Sequence, residues 1–159
     1  MKKWFFSVIL LMASCVVLNS CIKNKGSITT ITPYMVATIG TYTFNAATVV
    51  PSTLDTQAHD TTTTLYITAH SSDLVYPKDK IILTITKYKG LTGTFSIVQG
   101  LASATYTHEG ISETAAFGII STGGQVSITQ ITSNSIIGYF NFNTPNVTVS
   151  NGSFNIGKP

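Results

Sequence analysis

The chain has no arginine. Arginine supplies the planar fork that grips phosphate or carboxylate with two bonds at once. Its cations are nine lysines in 159 residues, set against six acids. A nucleic-acid binder carries a basic patch or stripe, so this balance excludes nucleic acid as an expected partner. Cysteine is as scarce: Cys15 and Cys21 stand near the start and none follows. No disulfide within the rest of the chain and no cysteine-based zinc site can form. The one tryptophan, Trp4, lies in the same early stretch. No stretch keeps apolar residues at helical spacing for three turns. Gly-rich phosphate loops and nucleophile elbows are missing as well. What fills the chain is Thr, Ser, Ile, Val and Gly, the composition of strands and turns.

The first residues form a separate signal. Met1-Lys2-Lys3 is a positive start, and an apolar run from Trp4 to Leu18 follows, interrupted only by Ser7 and Ser14. A charged start, a short apolar core and a small residue at the cut describe a secretory signal peptide. The run is shorter than the ~20 apolar residues that span a bilayer. Leu18-Asn19-Ser20-Cys21 resembles the bacterial lipobox. The resemblance implies cleavage before Cys21, a diacylglycerol thioether on its sulfur and acylation of the new amino terminus. One acyl chain holds a protein to a membrane only marginally, whereas two or more anchor it stably. Cys15 is the rival, since Ala13-Ser14 also precede a cysteine, but cutting there would leave Val16-Val17-Leu18 exposed on the tether. The expected organisation is a signal peptide at 1–20, a polar tether at 21–32 and one domain at 33–159.

That domain reads as short strands. Tyr34 to Ile39 alternates, Gly40-Thr41 turns, and Tyr42, Phe44 and Ala46 carry a second strand. Val50 to Thr64, with Pro51 and a run of threonines, reads as a loop. Strands are expected over 64–70, Lys80 to Tyr88, Thr94 to Val98, Ala102 to Thr107 and Glu113 to Ile120, with turns at His108-Glu109-Gly110 and Gly123-Gly124. Ile131 falls out of phase with Val126 and Ile128, which predicts a β-bulge near Thr129-Gln130. Ile136, Gly138, Phe140 and Phe142 share a face. Asn151-Gly152 between alternating runs is a strong short hairpin signal, and a two-residue turn there would put Val147, Val149, Phe154 and Ile156 on one face. The pattern predicts an all-β fold, two packed antiparallel sheets in a β-sandwich, with a β-barrel as the alternative.

Several of these segments carry a resemblance. The lipobox, the strand Met35-Val36-Ala37-Thr38-Ile39-Gly40, the segment Leu91-Thr92-Gly93-Thr94-Phe95 and the tail from Val126-Ser127-Ile128-Thr129 to Val149-Ser150-Asn151-Gly152-Ser153-Phe154 together resemble the uncharacterised Bacteroidetes-type lipoproteins. The resemblance implies a cell-envelope protein, anchored to a bacterial outer membrane by lipid on Cys21. It brings no catalytic residues. Asp60-Thr61-Thr62 resembles the short O-glycosylation motif of such bacteria, which would make Thr61 the acceptor.

Acid–base material is thin. His108, Glu109 and Glu113 form the densest cluster, able in principle to hold a divalent cation or to do general acid–base work. Gly110 lies between them and no helix sets their spacing, so a solvated turn is the plainer reading. His59-Asp60 adjoin in a loop, and Asp73 and Asp79 could offer oxygens to Ca²⁺, although Lys78 and Lys80 are their neighbours. Lys78, Lys80, Lys87 and Lys89 flank one strand, where lysine deters sheet-to-sheet aggregation. No catalytic residue, metal or cofactor is therefore expected. The expected role is a non-enzymatic module that binds a glycan or another envelope protein, with Tyr66, Tyr76, Tyr88 and Tyr106 as candidate contacts, since aromatic rings offer large faces with a polar tip. The alternatives are an envelope hydrolase using Glu109 and Glu113, and a structural subunit that assembles by strand addition.

Overall fold

A computed structural model describes residues 32–56, 63–71 and 79–158, all inside the compact unit Ile31–Pro159. It contains β1 (Tyr34–Ile39), β2 (Tyr42–Thr56), β3 (Thr63–Ser71), β4 (Lys80–Ile85), β5 (Gly93–Ser96), β6 (Ala102–His108), β7 (Ile111–Ala115), β8 (Gly123–Ile131), β9 (Ser135–Asn143) and β10 (Thr148–Gly157). Among the described residues there is no helix, and so none long and apolar enough to cross a membrane. The fold is all-β. The strands are hydrogen-bonded in one order, β5-β8-β9-β10-β1-β2-β3-β4-β6-β7, antiparallel throughout. This sheet curls into a half-barrel. The strand pairing is thus continuous from β5 to β7, not divided between two unlinked sheets.

Period-two alternation makes the core. Ile81, Leu83 and Ile85 of β4 are fully buried, as are Leu65, Ile67 and Ala69 of β3. The partner residues between them on each strand are only half-buried. Phe44, Phe140, Phe142 and Phe154 fill the same interior from β2, β9 and β10. Each such large side chain contributes about 1.5–3 kcal/mol by leaving water. The bulge expected near Thr129-Gln130 is present: the β8–β9 register shifts between Ile128 and Gln130.

Five local expectations are corrected. First, Val50 to Thr56 is strand, not loop. β2 pairs with β1 over Tyr42–Asn45, and from Ala46 to Thr56 with β3. Pro51 lies beyond the stretch of β2 that pairs with β1, and among the described residues this half of β2 pairs with β3 alone, as an edge strand that tolerates proline. Second, Asn151-Gly152 is no hairpin turn. β10 runs straight through it, paired with β9 and β1 on either side, and its register skips between Val149 and Gly152. The positive φ of Asn151, 51°, serves a bulge in an inner strand. Val149, Phe154 and Ile156 do share the buried face. Third, β7 stops at Ala115. Gly118 at φ 83° and the bond from the Ile119 N–H to the Ala116 carbonyl turn the chain, and Phe117, Ile119 and Ile120 project outward. Fourth, Gly123-Gly124 opens β8. A side chain at Gly124 would lie 2.2 Å from the Asn141 carbonyl oxygen, so glycine here serves strand packing and not a turn. β4 also ends at Ile85, and Lys87, expected in strand, has φ 57°.

Candidate functional site

One end of the curled sheet brings Asp79, Tyr106, His108 and Glu113 around one cavity. β4 and β6 pair with Lys80 opposite Thr107, so Asp79, one step before β4, comes beside His108, the last residue of β6. Tyr106 and His108 are two apart on one strand and therefore share a face. That parity brings both to Asp79, which is 1% exposed. The Tyr106 hydroxyl donates to Asp79 Oδ2 at 2.6 Å, and His108 Nδ1 lies 2.8 Å from Oδ1. A carboxylate acceptor fixes the imidazole hydrogen on Nδ1. The two rings stack at 6.3 Å with 21° between their planes. A buried carboxylate is tolerable only when its oxygens are bonded in this way.

Glu113 stands across β6 from this trio, in register with Tyr106. It accepts from the Thr144 hydroxyl and, at 2.9 Å, from Asn146 Nδ2. Both donors sit on the connection between β9 and β10, which is closed by the Thr144 N–H to the Val147 carbonyl at 2.8 Å and the Val147 N–H to Thr144 Oγ1 at 2.9 Å. Hydrogen bonding from Thr144, then Asn146, holds the Glu113 carboxyl below its ordinary value.

Between these groups lies a cavity of about 330 Å³. Asp79, Tyr106, His108 and Glu113 form its polar side; Ile39, Tyr42, Ile111 and Val147 form the rest. Among the described residues that line it there is no lysine, serine, threonine or cysteine. It has the make-up of a ligand pocket, with apolar walls and a few placed polar groups. The Asp79–His108 pair could orient a base, but no serine, threonine or cysteine nucleophile stands among the described lining residues; the hydroxyls there are the phenols of Tyr42 and Tyr106.

The residues singled out from sequence scatter. Tyr106 and Glu113 reach the pocket. Glu109 sits on the β6–β7 turn at φ 49° and does not line it, so of the cluster His108, Glu109 and Glu113 only His108 and Glu113 share the pocket. Tyr88 is 2% exposed, edge-on to Phe95, with no ring face for a ligand. Tyr66 is half-buried on β3, beside Ser52 and Thr84. Cys21, Thr61, Tyr76, His59, Asp73 and Lys78 lie outside the described residues. No group of three His, Cys, Asp or Glu side chains able to hold a metal ion occurs among the described residues. Sequence reasoning missed the union of Asp79 with His108, and Tyr42. The shared parity of Tyr106 and His108 was a visible signal; the β4–β6 pairing that delivers Asp79 was not, because β5 intervenes in the chain.

Comparison with family models, with curated proteins and with solved structures gives no match for this chain.

Proposed function

We propose that the chain is a lipid-anchored β-domain of a bacterial cell envelope, held by lipid on Cys21, that binds the end of a glycan without chemistry of its own. The observation that carries this is the buried Asp79 carboxylate, bonded by Tyr106 and His108 at the wall of the cavity. Its partners are fixed before any ligand arrives, which lowers the ordering cost of binding. The cavity volume of about 330 Å³ lies at the small end of ligand sites, which suits one sugar residue. The apolar side chains of Ile39, Ile111 and Val147 match the C–H face of a sugar ring. Glu113 and His108 match its hydroxyls. Among the described residues the lining holds two acids and no lysine, which favours a neutral or amino sugar over an acidic one.

The Asp79–His108 pair supports a second reading, an envelope hydrolase in which Glu113 and His108, not Glu109, do the acid–base work. A thermal-shift screen with neutral, amino and acidic monosaccharides separates the two. Binding without turnover is expected from neutral or amino sugars: a ligand at 100 times its Kd adds about 2.7 kcal/mol. Glu113→Gln should weaken that shift. Release of product from a glycan substrate, lost in His108→Ala, would establish the hydrolase and sink the binding module. The anchor has its own test. Palmitate labelling in growing cells should mark the wild-type chain and not Cys21→Ser; equal labelling would overturn it.

A further inference from the structure

The outward face of β8, β9 and β10 holds a second cleft, of about 400 Å³, away from the Asp79 pocket. Tyr139 is its centre, 57% exposed. The register places Ser127 on one side of it and Ser153 on the other. Both register neighbours are small. Gln125 and Asn141 face each other in the next row, both exposed. Asn151 completes the rim from β10, lifted by its bulge. Beside it Gly152 has no side chain because Phe140 occupies that space: a Cβ would meet the Phe140 ring at 2.6 Å. The bulge, where the β9–β10 register shifts between Val149 and Gly152, sets Asn151 at positive φ at the edge of the cleft.

This chemistry is uniform. The cleft offers one exposed phenol ring, three amides and two serine hydroxyls, that of Ser127 bonded to Thr94, with no charged side chain among the described residues that line it. Tyrosine gives rigid contact area at low entropic cost, and Asn and Ser give adaptable hydrogen bonding around it. A nucleic-acid strand would need cations for its phosphates. A protein partner would need an apolar centre of several side chains, and Tyr139 stands alone. A neutral sugar chain needs what is here: a ring to stack on, with donors and acceptors for hydroxyls.

We propose that the outer face of β8–β10 is a second binding site, on which a neutral polysaccharide lies with one sugar ring stacked on Tyr139. It shares a ligand class with the pocket reading but none of its residues, so the two can fail separately. The probes are hydroxyethylcellulose, dextran, mannan and a β-1,3-glucan, each cast in a native gel through which the full chain is run. At least one polymer should retard the wild type. Tyr139→Thr, which keeps strand propensity at an exposed position, should bind that polymer at least tenfold more weakly with an unchanged thermal midpoint. Ile120→Thr, at an 87% exposed position that lines neither cavity, should be retarded like the wild type. Free migration of the wild type in all four gels overturns the proposal, and so does full retardation of Tyr139→Thr.

Discussion

The Tyr106 hydroxyl donates a 2.6 Å hydrogen bond to the buried carboxylate of Asp79, 27 residues away in sequence. It closes one oxygen of a group whose other oxygen meets His108. Tyr106→Phe keeps the ring and removes only that donor. A buried charge-assisted bond lost from one side costs about 2 kcal/mol, and urea denaturation should show a loss of that size with an unchanged slope. A loss under about 0.5 kcal/mol would mean that water reaches Asp79 and that the pocket wall is not preorganised.

Glu113 gives a pH dependence with a definite sign. Hydrogen bonds from Thr144 and Asn146 lower its carboxyl in the folded state. A lowered value contributes stability above the ordinary range of glutamate, lost as pH falls through the folded value. Wild type should therefore lose more stability on acidification than Glu113→Gln. The gap between them, present at neutral pH, should close at low pH. Thr144→Val should close part of it, because Thr144 is the larger cause. Parallel curves of thermal midpoint against pH would show that the bonds from the β9–β10 connection do not bind the carboxylate in solution.

The core was legible because burial follows residue parity. Ile81, Leu83 and Ile85 alternate, and all three are inside; nothing distant is needed to see it. The Thr129-Gln130 bulge was legible for the same reason, as a break in that parity. Asn151-Gly152 was misread because its preference is local and its use is not. The pair favours positive φ wherever it stands, but a chain reversal and a bulge differ only in what pairs alongside, here β9 on one side and β1 on the other. Phe117 and Ile119 keep strand parity beyond Ala115, yet among the described residues no strand pairs with them there. The pocket was least legible. Asp79 and His108 meet through a pairing of β4 with β6 that skips β5, and no short pattern encodes it. Tyr139 looked like any other tyrosine until its serine neighbours were known.

Glycines on the inner face make a sharper test of packing. Gly138 is in phase with Ile136, Phe140 and Phe142, and the space of its missing side chain is taken by Phe154. An added Cβ would lie 2.3 Å from the Ser127 carbonyl oxygen and 2.4 Å from the Phe154 ring. The backbone oxygen cannot rotate aside, so Gly138→Ala should destabilise by about 3 kcal/mol, at the upper end of overpacking costs. Gly157→Ala, with nothing within 4 Å, should be near neutral. Equal effects of the two would mean that β9 and β10 can shift apart without penalty.

Tyr88 yields the opposite sign. It is 2% exposed, and its hydroxyl is buried with no hydrogen-bond partner among the described residues. Burial raises its ionisation above the ordinary tyrosine value. An unsatisfied buried hydroxyl is a standing cost of about 1 kcal/mol or more, while the ring itself packs edge-on against Phe95 and is favourable. Tyr88→Phe keeps the ring and deletes the cost. It should stabilise by about 1 kcal/mol and raise the thermal midpoint by roughly 3–5 °C. The raised ionisation adds an alkaline signature: a group held neutral by burial contributes stability below its ordinary range, lost as pH rises through the raised value. The wild type should therefore fall away faster than the Phe variant in strong base. A destabilised Phe variant would reveal a partner for that hydroxyl, and with it a polar contact inside the β4–β5 connection.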